Sequence, residues 1–274
     1  MIRRSTPFRR ISWIFVGVHL VCVFVPLLVI VAWAFSSSWP WPSLVPEAFS
    51  SRGLEEIFAP SQHLGAVLAQ SIGIALAVAI LSTAVAAFAS RALAFYQFKG
   101  KSLFRFSTVL PFLIPATVFA MGVQVLFIHA GLAGTVVGVV IAHTIVALPY
   151  AIAILGDVMV AAGTRLEQQA RIAGAGRFRA FIHVQLPLLL PGILSASAMS
   201  YILSFSQYFL TLLIGGGAVR TFAVTMFPYL ASGDRTIASA YGVVFLAVTF
   251  GVFLLFELLI KRFTPRFDND YFNG

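Results

Sequence analysis

The sequence has 274 residues, of which 60% are hydrophobic and only 10% charged, with a mean hydropathy of +0.97 and a formal net charge of +9. Soluble domains run at roughly half apolar and about a quarter charged, and no polar stretch here is long enough to build one, so the composition excludes a soluble fold and leaves a single transmembrane domain. The basic excess excludes a nucleic-acid footprint once its positions are read, because nearly all of it lies in the connections between apolar runs.

A helix needs ~20 mostly apolar residues to cross the hydrocarbon core, and six segments qualify. Residues 1–12 form a basic N-terminal segment, followed by a first span from Trp13 to Phe35. That run is longer than the core of a secretory signal and lacks an A-x-A cleavage site, so a retained span is expected. The lone Cys22 lies inside it and reads as a small packing residue. Next comes the longest external connection, Ser36 to Gly65, whose SSSWPWPSLVPEAF stretch suits an interfacial loop with Trp39 and Trp41 at headgroup level. The second span runs from Ala66 to Ser90 and leads into the basic turn AFYQFKGKSLFR. The third, Phe106 to His129, should bend at Pro111 and Pro115. A fourth span covers Gly134 to Gly156, and a polar segment at about 160–187 separates it from the fifth, Leu188 to Leu213. IGGGAVRTF and SGDRT punctuate the stretch before the sixth, Ile237 to Ile260, near whose end Glu257 is spaced to pair with Lys261 at i, i+4. Residues 262–274 are a short polar tail. Ala/Leu/Val/Ile-rich runs of this length indicate an all-α polytopic protein, not a barrel of ~10-residue alternating strands.

Six spans place the basic clusters Arg3/Arg4/Arg9/Arg10, Arg91/Lys99/Lys101/Arg105, Arg165/Arg171/Arg177/Arg179 and Lys261/Arg262/Arg266 on one side of the membrane. Only Arg52, Arg220 and Arg235 fall on the other. Positive loops are retained in the cytoplasm, so both termini and the 160–187 segment are expected inside.

That segment, with EQQARIAGAGRFRAFIHVQLP from Glu167 to Pro187, carries helical patterning. No Gly or Pro interrupts Thr164 to Ala173, and Leu166, Ala170 and Ala173 share a face. After Gly174 and Gly176, Phe178, Phe181 and Ile182 recur at helical spacing. Two short helices meeting at a turn on Gly174 are expected, with Pro187 opening the fifth span. On pattern alone, an amphipathic segment lying on anionic lipid and a docking surface for a soluble partner fit equally well.

The spacing resembles the cytoplasmic loop of permease subunits of bacterial type I ABC importers, whose consensus is E-A-A, three residues, G, nine residues, I-x-L-P. Here Gln168, Gln169 and Ala170 are followed by Gly174 and, nine residues later, by Val184-Gln185-Leu186-Pro187. Gln168 stands where the family usually has Glu, Gln169 replaces Ala and Val184 replaces Ile, while Glu167 sits one place early as a partial substitute. The resemblance extends over roughly residues 66–260. It implies a permease that forms the translocation pathway with a second, similar permease chain and docks two cytoplasmic ATP-binding subunits. A periplasmic or extracellular substrate-binding protein completes the implied assembly, in the bacterial inner membrane. The loop residues implied in ATPase coupling are Glu167, Gln168, Gln169, Ala170, Gly174, Phe178, Leu186 and Pro187. The chain itself is expected to bind no cofactor and to contact lipid but no nucleic acid, with ATP and Mg on the partner ATPases. FSQYFLTLLIGGGAVRTF and PYLASGDRTIASA resemble permeases of the polyamine, thiamine, ferric-ion and phosphonate group.

No ATPase lies in the chain. GKS at Gly100 to Ser102 would need a glycine at position 95, which is Phe95, and GAGRFR has Arg179 where a dinucleotide fingerprint has glycine. His19, His63, His129, His143 and His183 are scattered, with neither H-E-x-x-H nor C-x-x-C, so no catalytic or metal constellation is expected. Polar residues inside spans are costly and face protein or a water-filled cavity. Gln124, His143, Ser204 and Gln207, in spans three to five, are the candidates for the pathway. A secondary transporter or channel working without an ATPase is the alternative reading.

Overall fold

The computed structural model describes residues 6–40 and 42–263. Arg3, Arg4, Trp41 and Arg266, named above, lie outside the described residues. The chain divides into two compact units, Met1–Leu64 with Met226–Ala247, and Gly65–Thr225 with Val248–Gly274.

The first unit contains α1 (Thr6–Ala34), the strands β1 (Ser36–Ser38) and β2 (Ala48–Phe49), and α2 (Arg52–Phe58). The connection expected as an interfacial loop is therefore ordered: β1 and β2 pair antiparallel, with Ser36 opposite Phe49 and Ser38 opposite Ala48. Side chains, not strand length, hold it. Arg52 reaches both carboxylate oxygens of Asp234 at 3.1 and 2.8 Å, and the Thr236 hydroxyl donates to the Ser36 carbonyl at 2.8 Å. Trp39 is not free at a surface, since it stacks on Trp33 with centroids 4.8 Å apart and donates to the Ser43 carbonyl at 2.8 Å.

The second unit begins with α3 (Leu64–Phe95, from Gly65 onward), α4 (Lys101–Leu113), α5 (Ala116–His129) and α6 (Val136–Ala162). The start of α6 is set by Thr135, whose hydroxyl accepts the Gly138 N–H at 3.0 Å. Then come α7 (Arg165–Ile172), α8 (Arg177–Ala180), a π-helical turn (Phe181–Gln185), α9 (Leu186–Phe205) and α10 (Phe209–Gly215). The unit boundaries fall inside α11 (Phe222–Ser232) and α12 (Arg235–Phe263).

Two of the six expected spans are interrupted. The third is broken, not bent: Ile114 is extended (φ −96°, ψ 126°) and Pro115 starts a new helix. Proline's ring disfavours α geometry in the residue before it and removes a helical donor, so Pro115 ends α4, whereas Pro111 is accommodated within it. The fifth stops at Phe205 and resumes as α10 after Ser206, Gln207 and Tyr208. By length and composition, five helical stretches among the described residues suffice to cross a membrane: Ile11–Ala34, Pro60–Phe95, Val136–Ala162, Arg177–Phe205 and Arg235–Arg262. Near the end of the last, Glu257 pairs with Lys261 at 2.6 Å as its spacing implies.

Small residues let the helices of the second unit approach. A stripe on α3, including Ser71, Ala75, Ala79, Ser82, Ala86 and Ser90, is buried at helical spacing. Ser90 donates to the Ile152 carbonyl at 3.1 Å, and Thr83 meets Ser197 at 3.0 Å. Gly192 on α9 lies so close to α6 that a Cβ there would come within 2.8 Å of Val158. These contacts fix the ends of α3, α6 and α9 beside one another, and that end carries the polar segment.

Candidate coupling site

The 160–187 segment starts where Gly163 (φ 59°) closes α6 and Thr164 caps α7. The Gln168 side chain folds back to the Thr164 hydroxyl at 3.2 Å. The end of α7 satisfies its last carbonyls in both ways a Schellman motif requires: Gly174 N–H donates to Arg171 O at 3.1 Å and Ala175 N–H to Ala170 O at 3.0 Å. Gly174 has φ +95°, as the motif demands of the residue after the cap. The turn expected from sequence thus sits where it was placed.

The second short helix differs from expectation. From Arg177 the backbone stays helical through Phe205, with no gap between α8 and the fifth span. Pro187 explains the π-helical turn. In unbroken α geometry its ring would strike the His183 carbonyl. Widening the preceding turn, so that Leu186 N–H bonds to Phe181 O, admits the proline without ending the helix.

Behind the turn is an ion pair that no spacing rule announced. Nη2 of Arg91, near the end of α3, contacts both carboxylate oxygens of Glu167 at 3.1 and 2.8 Å across 76 residues of sequence. The Glu167 side chain is only 10% exposed and that of Arg91 24%. The guanidinium also lies against the rings of Phe95 and Phe181, 5.9 and 5.5 Å from their centroids. A parallel tie joins the starts of the two arms: buried Gln185 donates to the Gly163 carbonyl at 3.2 Å. Glu167, expected to substitute in part for the glutamate usual at the place of Gln168, pairs with Arg91. The outward surface is instead polar at Gln168 and Gln169 and apolar at Leu166, Ile172 and Phe178, with Phe178 76% and Ile172 87% exposed. Ala170 and Leu186 are half-buried, and Pro187 is exposed.

Of the intramembrane candidates, His143 does not face a cavity. It is 1% exposed, with Nδ1 2.9 Å from the Ser204 hydroxyl and Nε2 2.9 Å from the Thr211 hydroxyl. Thr211 already donates its proton to the Gln207 carbonyl at 2.8 Å, so Nε2–H must donate to Thr211, and Nδ1 accepts from Ser204. Both ring nitrogens are thus hydrogen-bonded, which ties α6 to α9 and α10. His143→Leu should cost about 1–3 kcal/mol by stranding Ser204, read as a lower thermal midpoint with the KM for uptake unchanged. A shifted KM at undiminished stability would return the residue to the pathway. Gln124 is half-buried and donates to the Leu213 carbonyl at 3.2 Å, while Gln207 is half-buried beside exposed Ser206 at the interruption between α9 and α10.

Fold and site together define a polytopic helical membrane component whose polar segment is braced from behind and apolar in front. Residues 82–267 match the family of binding-protein-dependent transport system inner membrane components, and the chain belongs to that family. It is therefore a multi-pass inner-membrane transport component, and the alternative of a secondary transporter falls away. Similar proteins include a molybdate/tungstate transport system permease protein of Pyrococcus abyssi, 28% identical over 165 residues, covering 60% of this chain and 66% of the relative. The chain thus spans about two thirds of that relative's length. The sulfate transport system permease protein of Escherichia coli is 27% identical over 186 residues, covering 62% of this chain and 67% of the relative. Among solved structures, a bacterial ABC transporter involved in import of the acidic polysaccharide alginate contains a chain of the same fold, with a TM-score of 0.69 and 15% identity over 95% of this chain and 98% of that one. The resemblance to the polyamine, thiamine, ferric-ion and phosphonate group is not supported by these relatives, whose names carry molybdate, tungstate and sulfate.

Proposed function

We propose that this chain is the pathway-forming permease subunit of an ATP-driven importer, working with a second permease chain, two ATP-binding subunits and an external substrate-binding protein. ATP and Mg belong to the ATP-binding subunits. Both termini and the 160–187 segment lie in the cytoplasm. The observation that carries this reading is the exposure of Ile172 and Phe178 on either side of a Schellman turn that is tied to α3 and α6, with Phe178 also at the mouth of a cavity beside α3. A large exposed apolar pair on a braced turn suits insertion into a groove on a soluble partner. The neutral interruption at Ser206–Tyr208 supports a pathway role for Gln207, because non-helical backbone at membrane depth is tolerated only within protein or beside a water-filled cavity. Gln124, on the helix packed against α10, is the second pathway residue. The first cargo to test is an inorganic oxyanion, since relatives are named for molybdate, tungstate and sulfate.

The test is affinity purification from the native membrane. A nucleotide-hydrolysing subunit should copurify, and Phe178→Ser should release it while the chain remains inserted. Purified chain that lacks such a subunit yet moves solute down an ion gradient would overturn the proposal.

A further inference from the structure

Between the polar segment and the ends of α3 and α9 lies a cavity of about 710 Å³. Its two ends differ in chemistry. The loop end is lined by Arg91, Arg171 and Arg177, with Glu167 the one carboxylate in the lining, and by Gln168 and Phe178. Neither Arg171 nor Arg177 has an ion-pair partner among the described residues. Arg91 commits Nη2 to Glu167, but its Nη1 is buried with no hydrogen-bond partner. At the other end the wall is apolar, formed by Ala87 and Phe88 on α3 and by Leu189 and Ile193 on α9.

We propose that this cavity is a binding site for an anionic phospholipid, with the phosphate among Arg91, Arg171 and Arg177 and an acyl chain against Phe88 and Ile193. The inference rests on the orientation given under the proposed function, which puts the loop end at the cytoplasmic leaflet. Depth distinguishes lipid from a soluble protein. At ~1.5 Å per residue, Ile193 lies about 10 Å along α9 from Leu186, and Ala87 about 12 Å along α3 from Phe95. An ATP-binding subunit docked on the loop would not reach that far into the bilayer, whereas an acyl chain lies there by nature. Basic pockets between helix ends on the cytoplasmic side have the charge and shape that anionic headgroups need.

Native mass spectrometry of the chain, purified in mild detergent with the subunits that accompany it, tests the site. Phosphatidylglycerol should be retained through delipidation and phosphatidylcholine should not. Each of Arg171→Gln and Arg177→Gln should weaken retention roughly fivefold. Ile193→Trp, which fills the apolar end without touching an arginine, should expel the lipid while the chain remains inserted. Equal retention of both lipids, indifference to all three substitutions, or equally effective competition by inorganic phosphate would overturn the proposal. So would an assembled complex in which the second permease chain leaves no lipid in place. Copurification of the ATPase is scored in the same samples, so a failure of the coupling reading registers separately.

Discussion

Replacing Arg91 by alanine is expected to lower the stability of the chain by about 2–3 kcal/mol and to cut substrate uptake at least roughly tenfold, with the ATP-binding subunit still bound. Removing one member of a buried pair typically costs about 3–5 kcal/mol because the other charge is stranded. The lower figure applies here because a quarter of the Arg91 side chain reaches solvent. The functional loss follows from geometry: the pair ties α7 to the second span, so without it a displacement of the loop is no longer carried to α3. Arg91→Lys should recover only part of the activity, since an ammonium cannot address both carboxylate oxygens and stack on Phe95 and Phe181. The exchange Arg91→Glu with Glu167→Arg should restore more than either single change, measured as a double-mutant cycle on both thermal midpoint and uptake. Strictly additive losses would mean the two residues act independently, and the tie would have no mechanical role.

The second large effect is expected at Gly174. Gly174→Val should leave membrane insertion intact while uptake falls by an order of magnitude or more relative to ATP hydrolysis. At φ +95° a β-branched residue is badly strained, and any residue with a Cβ pays ~1–2 kcal/mol in the left-handed region. Nothing lies within 4 Å of the place a Cβ would occupy, so the penalty is conformational and not steric crowding by neighbours. This fixes an order: Asn, which tolerates the left-handed region, should be mildest, Ala intermediate and Val most severe. A series ranked by side-chain volume instead would show that a partner contacts the turn directly and that backbone geometry is not the cause.

The sequence analysis located what depends on neighbours along the chain. Gly174 was legible because a Schellman turn is written in consecutive residues, and the Glu257–Lys261 pair because helix geometry sets its spacing. The break in the third span was only half legible. Pro111 and Pro115 look alike as letters, yet Pro111 stays inside a helix whereas Pro115 ends one. Arg91 was invisible as anything but a retained positive charge, since its partner is 76 residues away and no periodicity joins them. The direction of Glu167 was illegible for the same reason: it is fixed by that distant partner. The hydrogen bonds of His143 were not legible, because the hydroxyls of Ser204 and Thr211 come from elements it meets only on folding.

The π-helical turn at Phe181–Gln185 makes the two arms of the loop mechanically unequal. Phe178 rides on a rod that runs without slack into the fifth span, so a push there rotates or shifts that span as one piece. Ile172 rides on an arm that pivots at Gly174 and is held by the Arg91–Glu167 strap and, at its root, by the Gln185–Gly163 hydrogen bond. One side works as a crank and the other as a leash, and a motor pressing on both would drive α9 first and recruit α3 only as the strap comes under tension.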